Sequence, residues 1–234
     1  MASVKLIPKP KEPLLLPKPG GDGCVRCAVV GTAGILNGSR MGKEIDAHDY
    51  VFRMNGAVLK GHEEHVGNRT SVYVHTSFSI TTSLYLFKKY GYTSVPNDEG
   101  IKYVMIPEAI RDFNWLEGLL KGEKGAIFFI YVYLHFLTAH RFLKSAILNS
   151  THWAIVRPTN GAFALFLALH TCDTVSAYGF MTEDYNKYYN YYFEKGVKTK
   201  VVFYINHDYM LEKNMWKKLH NKQLHEWYHK QTKN

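Results

Sequence analysis

Residues 26–39, RCAVVGTAGILNGS, decide the fold: a short apolar run ends at Gly31 and opens into a turn with further glycines at 34 and 38. The run reads as a strand and the turn as a place where backbone N–H groups can approach an anionic ligand. The spacing differs from the G-x-G-x-x-G of dinucleotide-binding loops, which also need an acidic residue about twenty positions on to hold a ribose. Here Asp46 and Asp49 come too early and Arg53 has the wrong sign, so an oxidoreductase using a nicotinamide cofactor is a weak alternative.

Working outward, residues 50–54 and 71–75 are further strand candidates, and 79–90 reads as a helix closed by Gly91. A strand over 102–108 precedes a helix over 109–121, and the apolar, aromatic stretch 126–149 reads as a strand with one or two helices. A turn at Pro158 and Gly161 leads into a buried helix, 173–180 is a strand, 183–198 an aromatic-rich loop and 201–205 a strand. Strands alternating with helices indicate an α/β fold with helices on both faces of the sheet. The last stretch, FYINHDYMLE over 203–212, breaks at Asn206-His207-Asp208 and continues with Leu211, Met215, Trp216 and Leu219 at helical spacing. That reads as strand, N-cap and amphipathic helix, with His207 at a strand's carboxyl end. In open α/β sheets ligands bind beyond those ends, so the position suits a general base as well as a packed loop histidine.

At 234 residues and 46% hydrophobic content, the chain can bury one sizeable core, which predicts one domain. The first 23 residues, with prolines at 8, 10, 13, 17 and 19 among lysines, read as a linker or stem. No run is long and apolar enough to span a bilayer, and no signal peptide is visible, so the chain as given reads as soluble. A net charge of +9 and a pI near 9.3 suit an anionic partner. No basic run interleaved with aromatics points to nucleic acid, and Lys213, Lys217 and Lys218 read as a solvated helix face. Three cysteines, at 24, 27 and 172, give one C-x-x-C without the second half of a zinc site. In an oxidising compartment Cys172 would pair with one of the first two. Sequons at Asn37, Asn68 and Asn149 would permit N-glycosylation on the secretory route.

Taken whole, residues 27–66, CAVVGTAGILNGSRMGKEIDAHDYVFRMNGAVLKGHEEHV, resemble the large sialylmotif of animal sialyltransferases. RPTNGAFALFLALHTCDTVSAYGF over 157–180 resembles the small motif, NYYFE over 190–194 the third, and the H-x-x-x-x-E of His207 and Glu212 the very small one. All four stand in family order across roughly residues 24–230, and the wording GILNGSRMG, IDAHDYVFR and FYINHD is closest to the GalNAc α-2,6 branch. The resemblance implies a variant glycosyltransferase-A fold, Rossmann-like, with a central, mostly parallel sheet. It divides the chain into a stem at 1–23, a catalytic domain over 24–230 that lacks N-terminal sequence, and a tail at 231–234.

The activity implied is inverting transfer of sialic acid from CMP-sialic acid to the 6-hydroxyl of GalNAc O-linked to Ser or Thr of a glycoprotein, without a metal or cofactor. His207 would be the base. Thr32, Asn55, Thr159, Asn160, Gly161, Gly179 and Tyr191 fall at donor-contacting positions, and Glu212 at a supporting one that orients the histidine or caps its loop. Cys27 and Cys172 match the family's disulfide. The setting implied is the Golgi lumen, with a membrane anchor outside this chain. With no metal in the family and no H-E-x-x-H, His62-Glu63-Glu64-His65 reads as a solvated polar turn. Two positions depart from the pattern: Thr32 stands where the family has Asn, and Tyr191 where the third motif opens with His. Threonine offers one hydroxyl for an amide, and tyrosine has no positive charge near neutrality. A catalytically impaired protein that binds CMP or a glycan is therefore the alternative on the same scaffold.

Overall fold

The computed structural model describes residues 12–108, 110–121, 130–132, 144–194, 199–222 and 226–227. Its centre is a sheet of seven strands: β1 (Arg26–Val30), β2 (Tyr50–Met54), β3 (Val72–His75), β4 (Lys102–Met105), β5 (Ile130–Val132), β6 (Thr174–Tyr178) and β7 (Glu226–Trp227). The spatial order is β5-β4-β3-β2-β1-β6-β7 and every pairing is parallel. The chain adds strands on one side of β1 as far as β5, then crosses to the other side with β6. That reversal opens a crevice beyond the carboxyl ends of β1 and β6, the place where open α/β sheets bind ligands.

The α-helices among the described residues are α1 (Gly42–Ala47), α2 (Glu63–Val66), α3 (Ser77–Leu86), α4 (Ile110–Leu120), α5 (Asn160–Thr171) and α6 (Tyr209–Asn221). Alternation along the strands sends Cys27 and Val29 to one face and Ala28 and Val30 to the other, all buried. Phe52, Val72, Val74 and Val104 share the first face with α5 and Trp216 of α6. On the second face Ile45, Val51, Val66, Tyr192 and Phe193 form one core cluster, while Tyr73, Met105 and Leu116 form another. The sequence of α5, NGAFALFLALHT, is apolar nearly all round because the helix packs across β1, β2, β3 and β6. A disulfide joins Cys27 in β1 to Cys172 at the end of α5 and leaves Cys24 exposed as a free thiol.

Residues 14–18 lie on the domain: Leu15 is buried in the first core, the Tyr50 hydroxyl donates to the Leu16 carbonyl at 2.7 Å, and Lys18 pairs with Asp49 at 3.0 Å. Most of 126–149 lies outside the described residues; β5 and a 3-10 turn over Ala146–Asn149 are its described parts. Asn68 and Asn149 are exposed, whereas Asn37 is half-buried. No helix among the described residues is long and apolar enough to cross a membrane.

Three expectations are corrected. Residues 201–205 form no strand: Val202, Phe203, Tyr204 and Ile205 are exposed, and β7 occupies the position beside β6. Strand propensity reflects packing on a pleated surface, and this run has no sheet to pack on. Lys213 is not solvated; it is buried and paired with Glu183 at 2.6 Å. His62 is likewise buried, edge-on to Tyr192 with ring centroids 5.5 Å apart, so it packs at the start of α2, while Glu63 and Glu64 are exposed as expected.

Candidate active site

A cleft of about 390 Å³ opens at the crevice between β1 and β6, within the size range of small-molecule sites. Its floor requires glycine. The Gly31 N–H donates to the Tyr178 carbonyl at 2.7 Å and the Ala33 N–H to the Gly179 carbonyl at 3.1 Å. A Cβ on Gly31 would stand 2.4 Å from the Gly179 oxygen, and Gly179 has φ +67° with Leu36 beneath it. Thr32, Asn55, Thr159, Asn160, Gly161, Gly179, Tyr191, His207 and Glu212, which come from four separate stretches of sequence, all line this cleft.

Asn55 follows β2 with φ +53°, a left-handed conformation that asparagine tolerates better than most residues. Its side-chain oxygen accepts from the Asn160 amide at 2.6 Å, which ties the end of β2 to the first turn of α5. Thr159 is the N-cap of α5: its hydroxyl accepts from the Ala162 N–H at 3.0 Å and donates to Glu212 at 2.6 Å, while its own N–H donates to the other Glu212 oxygen at 2.7 Å. Asn160 and Gly161 thus bring the opening N–H groups and the positive end of a 12-residue helix to the cleft. Glu212 makes its hydrogen bonds to Thr159 and none to His207 among the described residues, so it supports the α5 end of the site. Burial pushes its carboxyl up to about 7 against the pull of both Thr159 hydrogen bonds.

His207 precedes α6, whose N-cap Asp208 accepts from the Leu211 N–H at 3.0 Å and from the Ser145 hydroxyl at 2.6 Å. Its ring is fixed by the Arg157 carbonyl 2.8 Å from Nδ1. A carbonyl can only accept, so Nδ1 carries the proton and Nε2 keeps its lone pair. Among the described residues nothing hydrogen-bonds to Nε2, and burial lowers the imidazole to about 4. The ring is therefore neutral at physiological pH and able to accept a proton. The Arg157 N–H in turn donates to the Asn206 carbonyl at 2.9 Å, which holds the two segments side by side.

Thr32 and Tyr191 prove to be neighbours. The Thr32 carbonyl accepts from the Tyr192 N–H at 3.1 Å, and Ala33 bridges Tyr191 as an isolated antiparallel pair. The Tyr191 ring stacks on Phe193 with centroids 5.1 Å apart and meets Phe87 edge-on at 5.2 Å. Burial raises its phenol to about 12, so it stays protonated and neutral. Among the described residues the cleft has two Lys/Arg side chains, Arg157 and Lys213, and they are committed to Glu108 at 2.5 Å and Glu183 at 2.6 Å. Among the described residues an anionic ligand would therefore meet helix-end N–H groups, amides and hydroxyls. Among the described residues no group of three or more His, Cys, Asp or Glu could hold a metal ion. Sequence reading left Arg157 and Glu108 without a role. The signal available was that Arg157 precedes Pro158, which keeps it extended, but a backbone carbonyl's target cannot be read from its letter.

Residues 1–224 match the family model for glycosyltransferase family 29 (sialyltransferase). Alpha-N-acetylgalactosaminide alpha-2,6-sialyltransferase 1 of Homo sapiens is 44% identical over 239 residues, covering 92% of this chain and 40% of its own length. The same-named protein of Gallus gallus is 42% identical, covering 94% and 43%. Alpha-N-acetylgalactosaminide alpha-2,6-sialyltransferase 2 of Mus musculus is 46% identical, covering 85% and 58%. The chain thus spans about half the length of these relatives. In structure it resembles a crystal structure of a mammalian sialyltransferase, with TM-score 0.63 and 23% identity over 97% of this chain and 76% of that one.

Proposed function

The chain belongs to glycosyltransferase family 29, the sialyltransferases, and from that premise we propose that it transfers sialic acid from CMP-sialic acid to the 6-hydroxyl of GalNAc O-linked to Ser or Thr of glycoproteins. The observation that carries this reading is the His207 ring, which lines the cleft with its proton tied to the Arg157 carbonyl at 2.8 Å and its other nitrogen without a hydrogen bond among the described residues. The acceptor oxygen bonds to the anomeric carbon as the bond to the CMP phosphate breaks, and the hydroxyl proton passes to His207 Nε2. Direct displacement inverts that carbon. CMP is a good leaving group, so the protein's tasks are positioning and holding charge on the departing phosphate. Asn55, Asn160, Gly161 and Gly179 take the donor, with Thr32 and Tyr191 at its phosphate, and no metal is used.

In this reading 24–230 is the catalytic domain, 1–23 a stem whose residues 14–18 dock on it, and 231–234 a tail. The setting is the Golgi lumen, consistent with the Cys27–Cys172 disulfide. The packing of Tyr191 against Phe87 and Phe193 favours one second reading, a donor site that binds CMP but turns over slowly.

The test follows CMP release and product mass with a GalNAc-O-peptide acceptor. The parent chain is expected to transfer, and His207→Ala to lose about 100-fold or more in kcat while still binding CMP. Turnover undiminished in His207→Ala removes the histidine from the mechanism. A silent parent with an active Thr32→Asn, Tyr191→His double variant establishes the slow-donor reading instead.

A further inference from the structure

Glu108 lies in the loop that follows β4, outside all four motif-like stretches, yet it reaches the histidine in two contacts. Its carboxylate meets the Arg157 guanidinium at 2.5 Å, with side-chain exposures of 11% and 17%, in the geometry of an ion pair rather than an aligned hydrogen bond. Arg157 is the residue whose carbonyl holds His207 Nδ1. Glu108 is itself anchored: its N–H donates at 2.8 Å to Asp112, which is fully buried and bonded to the Ser77 hydroxyl at the start of α3. Arg111 touches it at 3.6 Å from the solvent side. A line of contacts therefore runs from α3 and α4 through Glu108 and Arg157 to the imidazole.

We propose that Glu108 is a positioning residue for His207: by anchoring Arg157 it fixes the carbonyl that keeps the imidazole proton on Nδ1 and Nε2 free. The role rests on the reading of His207 as the base. Without the ion pair Arg157 loses its side-chain tether to the segment after β4, and the Asn206 hydrogen bond is left to hold the carbonyl toward the ring, with more freedom to turn from it. The imidazole then samples both tautomers, and the Nε2-protonated form cannot accept a proton from the acceptor.

The experiment is a long-range proton–nitrogen spectrum of the imidazoles in the full chain at pH 7, with the His207 signal identified by its loss in His207→Gln. The parent is expected to give the Nδ1-protonated pattern and Glu108→Ala a mixture. With that mixture, kcat should fall about 10-fold or more, while KM for CMP-sialic acid stays within about 2-fold. Glu108→Gln, which keeps an oxygen for the guanidinium, should fall between. If Glu108→Ala does not fold, Arg157→Met serves, since it deletes the ion pair and keeps the carbonyl. A parent-like His207 pattern in the variant that folds, whatever its melting temperature, overturns the proposal, as does a parent already mixed. Should the parent transfer nothing, the spectrum still decides the positioning role, and the transferase reading alone fails.

Discussion

Glu212 and His207, five residues apart in sequence, are pushed away from their ordinary ionisation by the same burial and in opposite senses for stability. Glu212 rises from 4.5 to about 7, so the folded chain holds its proton more tightly than the unfolded chain does. Its contribution is fully present below 4.5 and is lost as pH rises through about 7. His207 falls from 6.5 to about 4, so the unfolded chain binds the proton better and stability drops as pH falls across that window. Glu212→Gln removes the first effect and leaves the second. Urea unfolding at pH 5 and pH 7.5 should show the variant gaining on the parent at the higher pH, because only the parent loses stability there. An identical difference at both pH values would mean that Glu212 titrates at its ordinary value. At this scale the sequence was informative about residues that line the cleft: His207, Thr159 and Asn160 stand in motif-like stretches. It was silent on Arg157, which acts on the histidine through a backbone oxygen that every residue has, and on Glu212's partner, which lies 53 positions away.

Helix α5 is the element on which the site depends. One hydroxyl, that of Thr159, accepts the Ala162 N–H and donates to Glu212, so the cap of α5 and the first turn of α6 share a single atom. Thr159→Val keeps the shape and deletes both contacts, leaving a buried carboxylate oxygen short of a donor. Loss of an N-cap costs about 1 kcal/mol, and an unmet buried acceptor about 1–3 kcal/mol more. The expected outcome is a stability loss of about 2–4 kcal/mol by denaturant unfolding together with weaker CMP binding, and near-parent behaviour in Thr159→Ser. A Val variant as stable as the parent would mean that Glu212 finds another donor. The neighbouring element carries the opposite lesson. Residues 201–205 have a strand's composition without a strand's structure, because the two-residue β7, far later in the chain, takes the place beside β6. Local propensity foresaw α5, whose burial all round suits its composition, and failed where a distant segment decided the outcome.

For the molecule as a whole, the reversal of strand order around β1 determines where everything else can go. Strand order was not read from the sequence, which offered only a glycine-ended first strand and a glycine-ended later strand, at Gly31 and Gly179. That they approach each other could come only from the sheet order. Across this reversal runs the Cys27–Cys172 bridge, which joins residues 145 positions apart and fastens α5 to the central strand. Closing so long a loop restricts the unfolded chain and stabilises the fold by about 3 to 5 kcal/mol on the loop-entropy account. That is a large share of the roughly 5–15 kcal/mol that holds a typical domain together. Cys27→Ser or Cys172→Ser should therefore lower the unfolding midpoint sharply and, by loosening α5 on the sheet, weaken CMP binding before the fold is lost. Thiol titration gives the direct check. Of the chain's three cysteines, the exposed Cys24 alone should react in the native protein, and all three after reduction and unfolding. Three reactive thiols without reductant would mean that α5 is held to the sheet by its apolar packing alone, and the two serine variants should then melt with the parent.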